Sequence, residues 1–319
     1  MAMNPIDVSN VLEDDRPLRA LTGLARPEFE KLLDEFIRCL KKGLPKNCRK
    51  PQKKRKRKLG GGRKSALGSA ENQLLFILFY MKSYPTFDVL AFTFGISLGC
   101  ASESVQRLLP LLKQAQDNLH TLPKRTSDNP KEIKQLIENN DKIIIDATER
   151  PCCRPQKPSK QKKYYSGKKG RHTVKNTVVS DSEKRILVLG ETVPGSQHDY
   201  AVFKEEFDKK IDWFESTEAS VDLGYLGIQK DYLSPQNIHI PHKKPRKSKK
   251  NPNPELTPKQ RRQNRKMGRV RVVVEHAIGG MKVFQVLAIR LRNRLKNFAD
   301  DFIFVAAGLW NLKNSFVVQ

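Results

Sequence analysis

The sequence predicts an α/β protein in which an all-α N-terminal region precedes a mixed-sheet domain. Before residue 113, apolar side chains recur at intervals of three and four residues, which is the spacing of amphipathic helices. After Asn140, short apolar runs rich in isoleucine and valine alternate with helical segments, which is typical of a sheet whose strands are joined by helices. Because the two patterns occupy different parts of the chain, we expect a helical domain and a mixed domain.

The chain is strongly basic, with a net charge of +27 over 319 residues. Residues 38–64, 154–175 and 243–271 hold 36 of the 61 Lys and Arg residues but only one of the 34 acidic residues. The remainder of the chain is slightly acidic. A near-neutral body that carries three basic stretches favours a polyanionic partner, and double-stranded DNA is the partner we expect. Solvated tails or a translocation signal are the alternatives.

The cysteines and the apolar runs predict the compartment. Five cysteines, an odd number without a Cys-x-x-Cys pair, indicate reduced thiols and neither a disulfide framework nor a zinc site. The first ten residues lack an apolar signal core. The longest apolar runs, 74–80 and 302–308, are far shorter than the roughly 20 residues of a membrane span. We therefore expect a cytoplasmic protein that binds no membrane.

The N-terminal part is predicted to be a helix followed by a basic arm. Residues 26–40 carry apolar side chains at helical spacing. The basic stretch that follows ends in three consecutive glycines, 60–62, which make the chain flexible. This segment is predicted to be a linker or an arm that follows DNA.

A helix-turn-helix is predicted within residues 69–113. Gly95 supplies the tight turn between its second and third helices. The helix starts are marked by N-capping residues, namely Ser69, Thr86 and either Ser97 or Ser102. The third helix is expected to present Ser102, Gln106 and Arg107 to DNA. The alternative is a plain three-helix bundle.

The C-terminal part is predicted to be the mixed domain. Residues 121–140 are polar and are expected to form a linker with a short helix. The elements expected beyond it are a strand ending at Asp146, paired strands at 164–179 and 185–192, a helix at 198–210, a strand ending at Asp222, a basic insertion at about 242–270, and helices at 270–283 and 298–316.

Three carboxylates form the candidate site. Asp146 and Asp222 each end a short apolar strand, and Glu275 lies on a later helix. Carboxylates at the ends of neighbouring strands project into one cleft, and their mutual repulsion favours a shared cation. Hard oxygen ligands suit Mg²⁺ and Mn²⁺, and two such ions promote phosphoryl transfer. The alternative is a set of unrelated surface acids, since the chain has 34 acidic residues.

Five sequence blocks include or flank the candidate carboxylates. The blocks are 143–151 (IIIDATERP), 164–175 (YYSGKKGRHTVK), 195–199 (GSQHD), 222–227 (DLGYLG) and 271–282 (RVVVEHAIGGMK). They resemble the DDE superfamily of transposases, in the branch of insertion-sequence enzymes related to Harbinger elements. The blocks follow one another in the family's order and with its spacing, and the helical unit before them resembles the family's helix-turn-helix.

This resemblance implies a ribonuclease-H-like catalytic domain in which Asp146, Asp222 and Glu275 are the catalytic residues and the ligands of two Mg²⁺ or Mn²⁺ ions. The expected activity is cleavage at the ends of a mobile element, followed by transfer of the freed 3′-hydroxyl into target DNA. The expected partners are the element's terminal inverted repeats, target DNA and further copies of the chain, at the nucleoid of a prokaryotic cell. The alternatives are a catalytically silent DNA-binding protein and a nuclease without joining activity.

Further residues around the three carboxylates are candidates for auxiliary roles. We expect phosphate contacts from cations on a predicted hairpin and on the glutamate helix, namely Lys168, Lys169, Arg171, Lys175, Arg271 and Lys282. A solvated strand edge, and an ion pair between Arg271 and Glu275, are the alternatives. His198 and Asp199 begin a predicted helix and act either near the metals and DNA or as a helix cap.

The predicted domain boundaries follow from these elements. They are 1–65 for the N-terminal helix and basic arm, 66–120 for the helix-turn-helix domain, 121–140 for the linker, and 141–319 for the catalytic domain with its basic insertion.

Overall fold

The fold is taken from a computed structural model that describes residues 8–43, 66–248, 252–293, 295 and 297–317. Most of the predicted basic arm, with its three glycines, lies outside these residues, as do residues 249–251 of the basic insertion. Within the described ranges, no helix is both long and apolar enough to cross a bilayer.

Thirteen α-helices are described along the chain. They are α1 (Val8–Glu13), α2 (Asp15–Thr22), α3 (Arg26–Lys42), α4 (Ala70–Ser83), α5 (Phe87–Phe94), α6 (Leu98–Asn118), α7 (Pro130–Glu138), α8 (Pro158–Tyr164), α9 (Asp199–Glu206), α10 (Ile228–Asp231), α11 (Pro258–Lys282), α12 (Gln285–Ala288) and α13 (Phe298–Val317).

Eight strands form a single mixed sheet. They are β1 (Lys124–Arg125), β2 (Lys142–Pro151), β3 (Tyr165–Ser166), β4 (Arg171–Asp181), β5 (Ile186–Leu189), β6 (Val193–Pro194), β7 (Glu218–Val221) and β8 (Ile238–His239). The main order is β1-β5-β4-β2-β7-β8, and β3 and β6 also pair with β4. Strand β4 is antiparallel to β2 and β5, whereas β2, β7 and β8 run parallel. The predicted α/β class with a mixed sheet is confirmed.

The chain divides into two compact units. The helical unit contains Met1–Leu122, Met281–Ile289 and Arg294–Gln319, and the sheet unit contains Pro123–Gly280 and Arg290–Asn293. This differs from the predicted boundaries, because the last helix groups with the N-terminal helices and not with the sheet. The physical reason is that α13 is apolar nearly all round, and it packs against α6 and α3.

The predicted helix-turn-helix has the expected local signals. The side chains of Ser69, Thr86 and Ser97 each accept a hydrogen bond from a backbone N–H in the first turn of α4, α5 and α6. Ser97, rather than Ser102, therefore begins the third helix. Gly95 ends α5 with φ of 64°, in the left-handed region that glycine adopts without steric cost.

Residues 121–140, predicted as a linker with a short helix, contain a strand and a helix that belong to the sheet unit. Strand β1 lies at one edge of the sheet, parallel to β5. In helix α7, Ile133 and Ile137 are buried in the core of the sheet unit with aromatic residues such as Phe203 and Trp213. Apolar residues spaced four apart give this short polar helix one buried stripe, which is why it is part of the domain.

Three predicted elements have different bounds in the structure. Strand β2 does not end at Asp146 but continues five residues beyond it, since β4 pairs along its whole second half. The predicted strand from residue 164 begins as helix α8 and short strand β3, and the long strand starts at Arg171. Helix α11 begins at Pro258, twelve residues before the predicted start, so the second half of the basic insertion is helical.

The contact between α13 and α6 depends on Gly308. A Cβ atom at this position would lie 2.8 Å from Leu122 Cδ2 and 3.0 Å from the Gln116 amide. The Gln116 amide donates a hydrogen bond to the Val305 carbonyl and therefore cannot move freely.

We expect Gly308→Ala to lower the free energy of unfolding of the helical unit by about 1–3 kcal/mol, through overpacking. Gly99→Ala is the matched control, because a Cβ there meets nothing within 4 Å. Thermal or denaturant unfolding of both variants measures the difference. Equal stability of the two variants would contradict the proposed close approach.

Candidate active site

The two candidate aspartates lie side by side because of strand register. Strands β2 and β7 are parallel, and their last paired residues are Ile145 and Val221. The next residues are Asp146 and Asp222. Strand β7 stops there, whereas β2 continues with β4 as a neighbour. The sheet therefore opens beside Asp146, at the point where both carboxylates emerge.

Each aspartate is held by the backbone that follows it. The Ala147 N–H donates to Asp146 Oδ1 at 2.8 Å. The Leu223 N–H donates to Asp222 Oδ1 at 2.6 Å, so Asp222 caps a short 3-10 helix, Leu223–Tyr225. These local bonds orient each carboxylate through its Oδ1 atom.

The environment of Asp146 disfavours its ionised form. Burial raises the pKa of Asp146, and the carboxylates of Asp222 and Asp199 raise it further. The Ala147 N–H and the Arg271 guanidinium lower this pKa. A carboxyl group in this position is stabilised as an anion by any cation that approaches it.

Glu275 is joined to the aspartates through Arg271. Both residues lie on α11, one turn apart. Arg271 Nη1 lies 3.3 Å from Asp222 Oδ1, and Arg271 Nη2 lies 3.7 Å from Glu275 Oε1. The ion pair between Arg271 and Glu275, an alternative raised by the sequence, is therefore present, and Asp222 shares it.

The three carboxylates do not form a closed ligand set. Across the part of the chain that the structure describes, no three His, Cys, Asp or Glu side chains lie close enough together to hold a metal ion. Asp146 and Asp222 are adjacent through their strands, whereas Glu275 is exposed over 56% of its side chain and reaches them through Arg271. Their role as a joint ligand set remains a prediction.

The chemistry of the donors nevertheless suits a hard cation. The oxygens come from carboxylates, which Mg²⁺ and Mn²⁺ prefer. Tyr225 is fully buried, and its hydroxyl has no hydrogen-bond partner among the described residues. Burial raises the pKa of Tyr225, and Asp146, Asp199, Glu206 and Asp222 raise it further, so this hydroxyl remains protonated within a strongly negative environment.

Lys175 does not have the position that the sequence predicted. Its side chain is buried, with its Nζ 2.6 Å from Asp199 Oδ1 and 3.6 Å from Glu149 Oε1. It also donates to the Gln197 carbonyl at 2.7 Å. Because a buried charge must be paired, Lys175 balances these acids inside the sheet unit and is not a phosphate contact.

Asp199 and His198 begin helix α9 as predicted. His198 occupies the N-cap position, but its side chain makes no capping hydrogen bond. Asp199 lies in the first turn, where a negative charge is favourable, and its carboxylate faces Lys175. A Cβ on Gly224 would lie 3.3 Å from Asp199 Oδ2, so Asp199 also touches the loop that follows Asp222.

The remaining hairpin cations are exposed. Lys168 and Lys169 lie in the turn between β3 and β4, and Arg171 begins β4. These positions are compatible with phosphate contacts. Lys282 is the last residue of α11 and belongs to the helical unit, whereas Arg271 belongs to the sheet unit.

Helix α6, the third helix of the helix-turn-helix, presents only part of the predicted DNA surface. Gln106 is exposed, and its amide donates to the half-buried Ser102 hydroxyl at 3.4 Å. Arg107 is half-buried, and its guanidinium donates to Gln73 Oε1 of α4 at 3.1 Å. The predicted outward orientation of Arg107 is therefore wrong, because the residue ties α6 to α4.

Sequence reasoning missed Glu206, whose two carboxylate oxygens are buried near the candidate site. It lies against the backbone of Gly190, where a Cβ would overlap its carboxyl group. Burial raises the pKa of Glu206 from 4.5 to about 7. Its position near the end of α9, beside the acidic Glu205, resembles an ordinary solvated helix end, so no sequence pattern marks it.

Comparison with known proteins defines the class. Residues 145–311 match the family of DDE superfamily endonucleases, and residues 65–115 match the helix-turn-helix of that superfamily. The first match covers more than half of the chain, so the chain belongs to the DDE superfamily of endonucleases. The predicted superfamily and the predicted helix-turn-helix are thereby confirmed.

A curated relative is similar in sequence over nearly the full length of this chain. The chain is 28% identical over 297 residues to a probable transposase for insertion sequence element IS702 from Microchaete diplosiphon, an alignment that covers 93% of this chain and 94% of the relative. No solved structure matches the chain significantly. The narrower Harbinger-related branch is not confirmed by these matches and remains a prediction.

The raised pKa of Glu206 makes stability depend on pH. The folded protein holds this proton more tightly than the unfolded chain, so between about pH 4.5 and about pH 7 the contribution of Glu206 to stability falls as pH rises. We expect Glu206→Gln to remove this loss, so that between about pH 4.5 and about pH 7 the free energy of unfolding of the variant rises by on the order of 2 kcal/mol relative to that of wild type.

Chemical denaturation at several pH values measures this difference. Glu205→Gln is the control, since it makes the same change at an exposed position on the same helix. If the free energy of unfolding changes with pH equally in Glu206→Gln and in wild type, the pKa of the Glu206 carboxyl group is not raised by folding.

Proposed function

We propose that this protein is the transposase of an insertion sequence, which cleaves DNA at the ends of its element and joins the freed 3′-hydroxyl to target DNA. The observation that carries the proposal is the pairing of β2 with β7, which brings Asp146 and Asp222 together in a chain of the DDE endonuclease superfamily. The helix-turn-helix match and the full-length similarity to a probable transposase support the same function.

Asp146, Asp222 and Glu275 would hold the divalent metal. Two Mg²⁺ or Mn²⁺ ions would activate the attacking oxygen and stabilise the leaving oxygen of phosphoryl transfer. Asp146 and Asp222 are positioned by the sheet, and Glu275 is on a helix whose side chains can change rotamer. Closure of the set would require the Glu275 side chain to move toward the aspartates.

The chain's cations would position the DNA. Lys168, Lys169 and Arg171 form an exposed basic turn that we assign to phosphate contacts, and Lys282 is assigned the same role. The helix-turn-helix would bind the terminal repeats through Ser102 and Gln106. Because most contacts of this kind are to phosphates, we expect affinity to fall steeply as salt concentration rises.

Pairing of the two element ends favours more than one copy of the chain, so we propose that the protein assembles as a homo-oligomer on DNA. The same function assigns it to the nucleoid of a prokaryotic cell. His198 and Asp199 are proposed as auxiliary residues, with Asp199 acting on the loop after Asp222.

One observation favours a second candidate. Arg271 contacts both Asp222 and Glu275, an arrangement that suits a catalytically silent protein derived from a transposase, which binds DNA without cutting it. Such a protein would bind the same repeats and cleave none of them, so the two candidates differ in a single assay.

The first test is cleavage and strand transfer with Mg²⁺ or Mn²⁺, on DNA made from the sequences that flank the gene. We expect Asp146→Asn, Asp222→Asn and Glu275→Gln each to lower the rate by about two orders of magnitude or more, because each removes a metal ligand. Glu205→Gln, with the same change of charge at an exposed site, is expected to retain activity. Full cleavage by Asp146→Asn would refute the site, and no cleavage by wild type would favour the silent protein.

The second test distinguishes residues of the helix-turn-helix that contact DNA from residues that stabilise its fold. Gln106→Ala is expected to raise the Kd for end DNA roughly fivefold, about 1 kcal/mol, without a change in melting temperature. Arg107→Ala is expected to lower stability by about 1–2 kcal/mol, because it leaves Gln73 without its donor. Melting curves and DNA titrations measure both. Unchanged binding by Gln106→Ala would remove this residue from the interface.

A further inference from the structure

One cation lies among the three proposed ligands. The Arg271 guanidinium contacts Asp222 at 3.3 Å and Glu275 at 3.7 Å. It also acts on Asp146, since it lowers the pKa of that carboxyl group. We propose that Arg271 is the counter-cation of the metal-free site, and that it competes with the divalent metal for Asp222 and Glu275. The inference rests on the proposed function, because it assumes that these carboxylates bind the metal.

The negative charges of the three carboxylates favour a counter-cation such as Arg271. Three carboxylates at one sheet edge repel one another, and a single guanidinium neutralises part of that charge. Divalent ions would supply two or more additional positive charges to the same oxygens. A guanidinium and a metal ion cannot both occupy the space between Asp222 and Glu275, so binding of one weakens binding of the other.

The geometry allows Arg271 to leave. Its distances to the two carboxylates are longer than the roughly 2.7–2.9 Å of a strong charge-assisted hydrogen bond, so the contacts are loose. Its side chain is 23% exposed, and Glu275 is 56% exposed. An arginine at this position can rotate outward about its own bonds while α11 remains in place.

Release of Arg271 has a consequence for DNA binding. The displaced guanidinium stays one helical turn from Glu275, where it is free to make a bidentate contact with a phosphate. Metal loading therefore converts an internal ion pair into a DNA contact. By this linkage, we expect metal to strengthen DNA binding and DNA to strengthen metal binding.

The test uses the full chain and Mn²⁺ alone, without DNA. We expect Arg271→Gln to bind Mn²⁺ about tenfold more tightly than wild type, which corresponds to about 1.4 kcal/mol. Arg269→Gln is the matched control, because Arg269 is an exposed arginine on the same helix and its loss changes the net charge equally. It is expected to bind Mn²⁺ within about twofold of wild type. Isothermal titration calorimetry measures the three affinities.

A second measurement covers the case in which loss of Arg271 destabilises the metal-free fold. The rise in melting temperature on addition of saturating Mn²⁺ is expected to be larger for Arg271→Gln than for Arg269→Gln. Only Arg271→Gln lacks the guanidinium that neutralises part of the charge of Asp222 and Glu275 before Mn²⁺ is added. Binding of end DNA in Ca²⁺, compared with binding in EDTA, is expected to gain less from metal in Arg271→Gln than in wild type.

The outcomes separate this inference from the proposed function. If wild type binds Mn²⁺ and Arg271→Gln binds it no more tightly than Arg269→Gln does, Arg271 is no competitor and the inference fails while the metal site stands. If none of the three proteins binds Mn²⁺, the metal site of the proposed function fails, and the inference fails with it.

Discussion

The site depends on the point at which parallel pairing between β2 and β7 ends. Register pairs Ile145 with Val221, so the two following aspartates are neighbours by construction. The antiparallel pairing of β2 with β4 continues past this point and keeps the Asp146 backbone rigid. A shift of one residue in either pairing would turn Asp146 to the other face of the sheet. Ile143, Ile144 and Ile145 are all buried, so packing covers both faces of β2 just before Asp146.

Two buried or half-buried cations, Lys175 and Arg271, balance the acids of this region. Successive side chains of β2 alternate in direction, so Asp146 and Glu149 lie on different faces. Lys175 is the register partner of Glu149 and belongs to the face of α9, where it also binds Asp199. Arg271 acts on Asp146 and Asp222 from α11. Lys175 is therefore structural, whereas Arg271 is the cation that we propose to exchange with a divalent metal.

The sequence predicted the features that local rules determine. The capping serines and Gly95 specify the helix starts and the turn of the helix-turn-helix, because these depend on a few adjacent residues. Both candidate aspartates were found because each follows an apolar run. The positions of Lys175 and Arg107 were predicted wrongly, since each belongs to a polar or basic segment that looks solvated. Their burial depends on partners at Asp199 and Gln73, far away in the sequence, which local patterns do not identify.

The distribution of charge links the body of the protein to its proposed substrate. The basic residues are concentrated in three stretches, whereas the remainder of the chain, including the candidate site, is slightly acidic. A phosphodiester that approaches Asp146, Asp222 and Glu275 meets like charge, and the single guanidinium of Arg271 neutralises only part of it. DNA held by the basic stretches therefore reaches this sheet edge favourably only when further positive charge is present there. In the proposed function, a divalent cation at this sheet edge would therefore favour the close approach of the substrate and would also supply the chemistry.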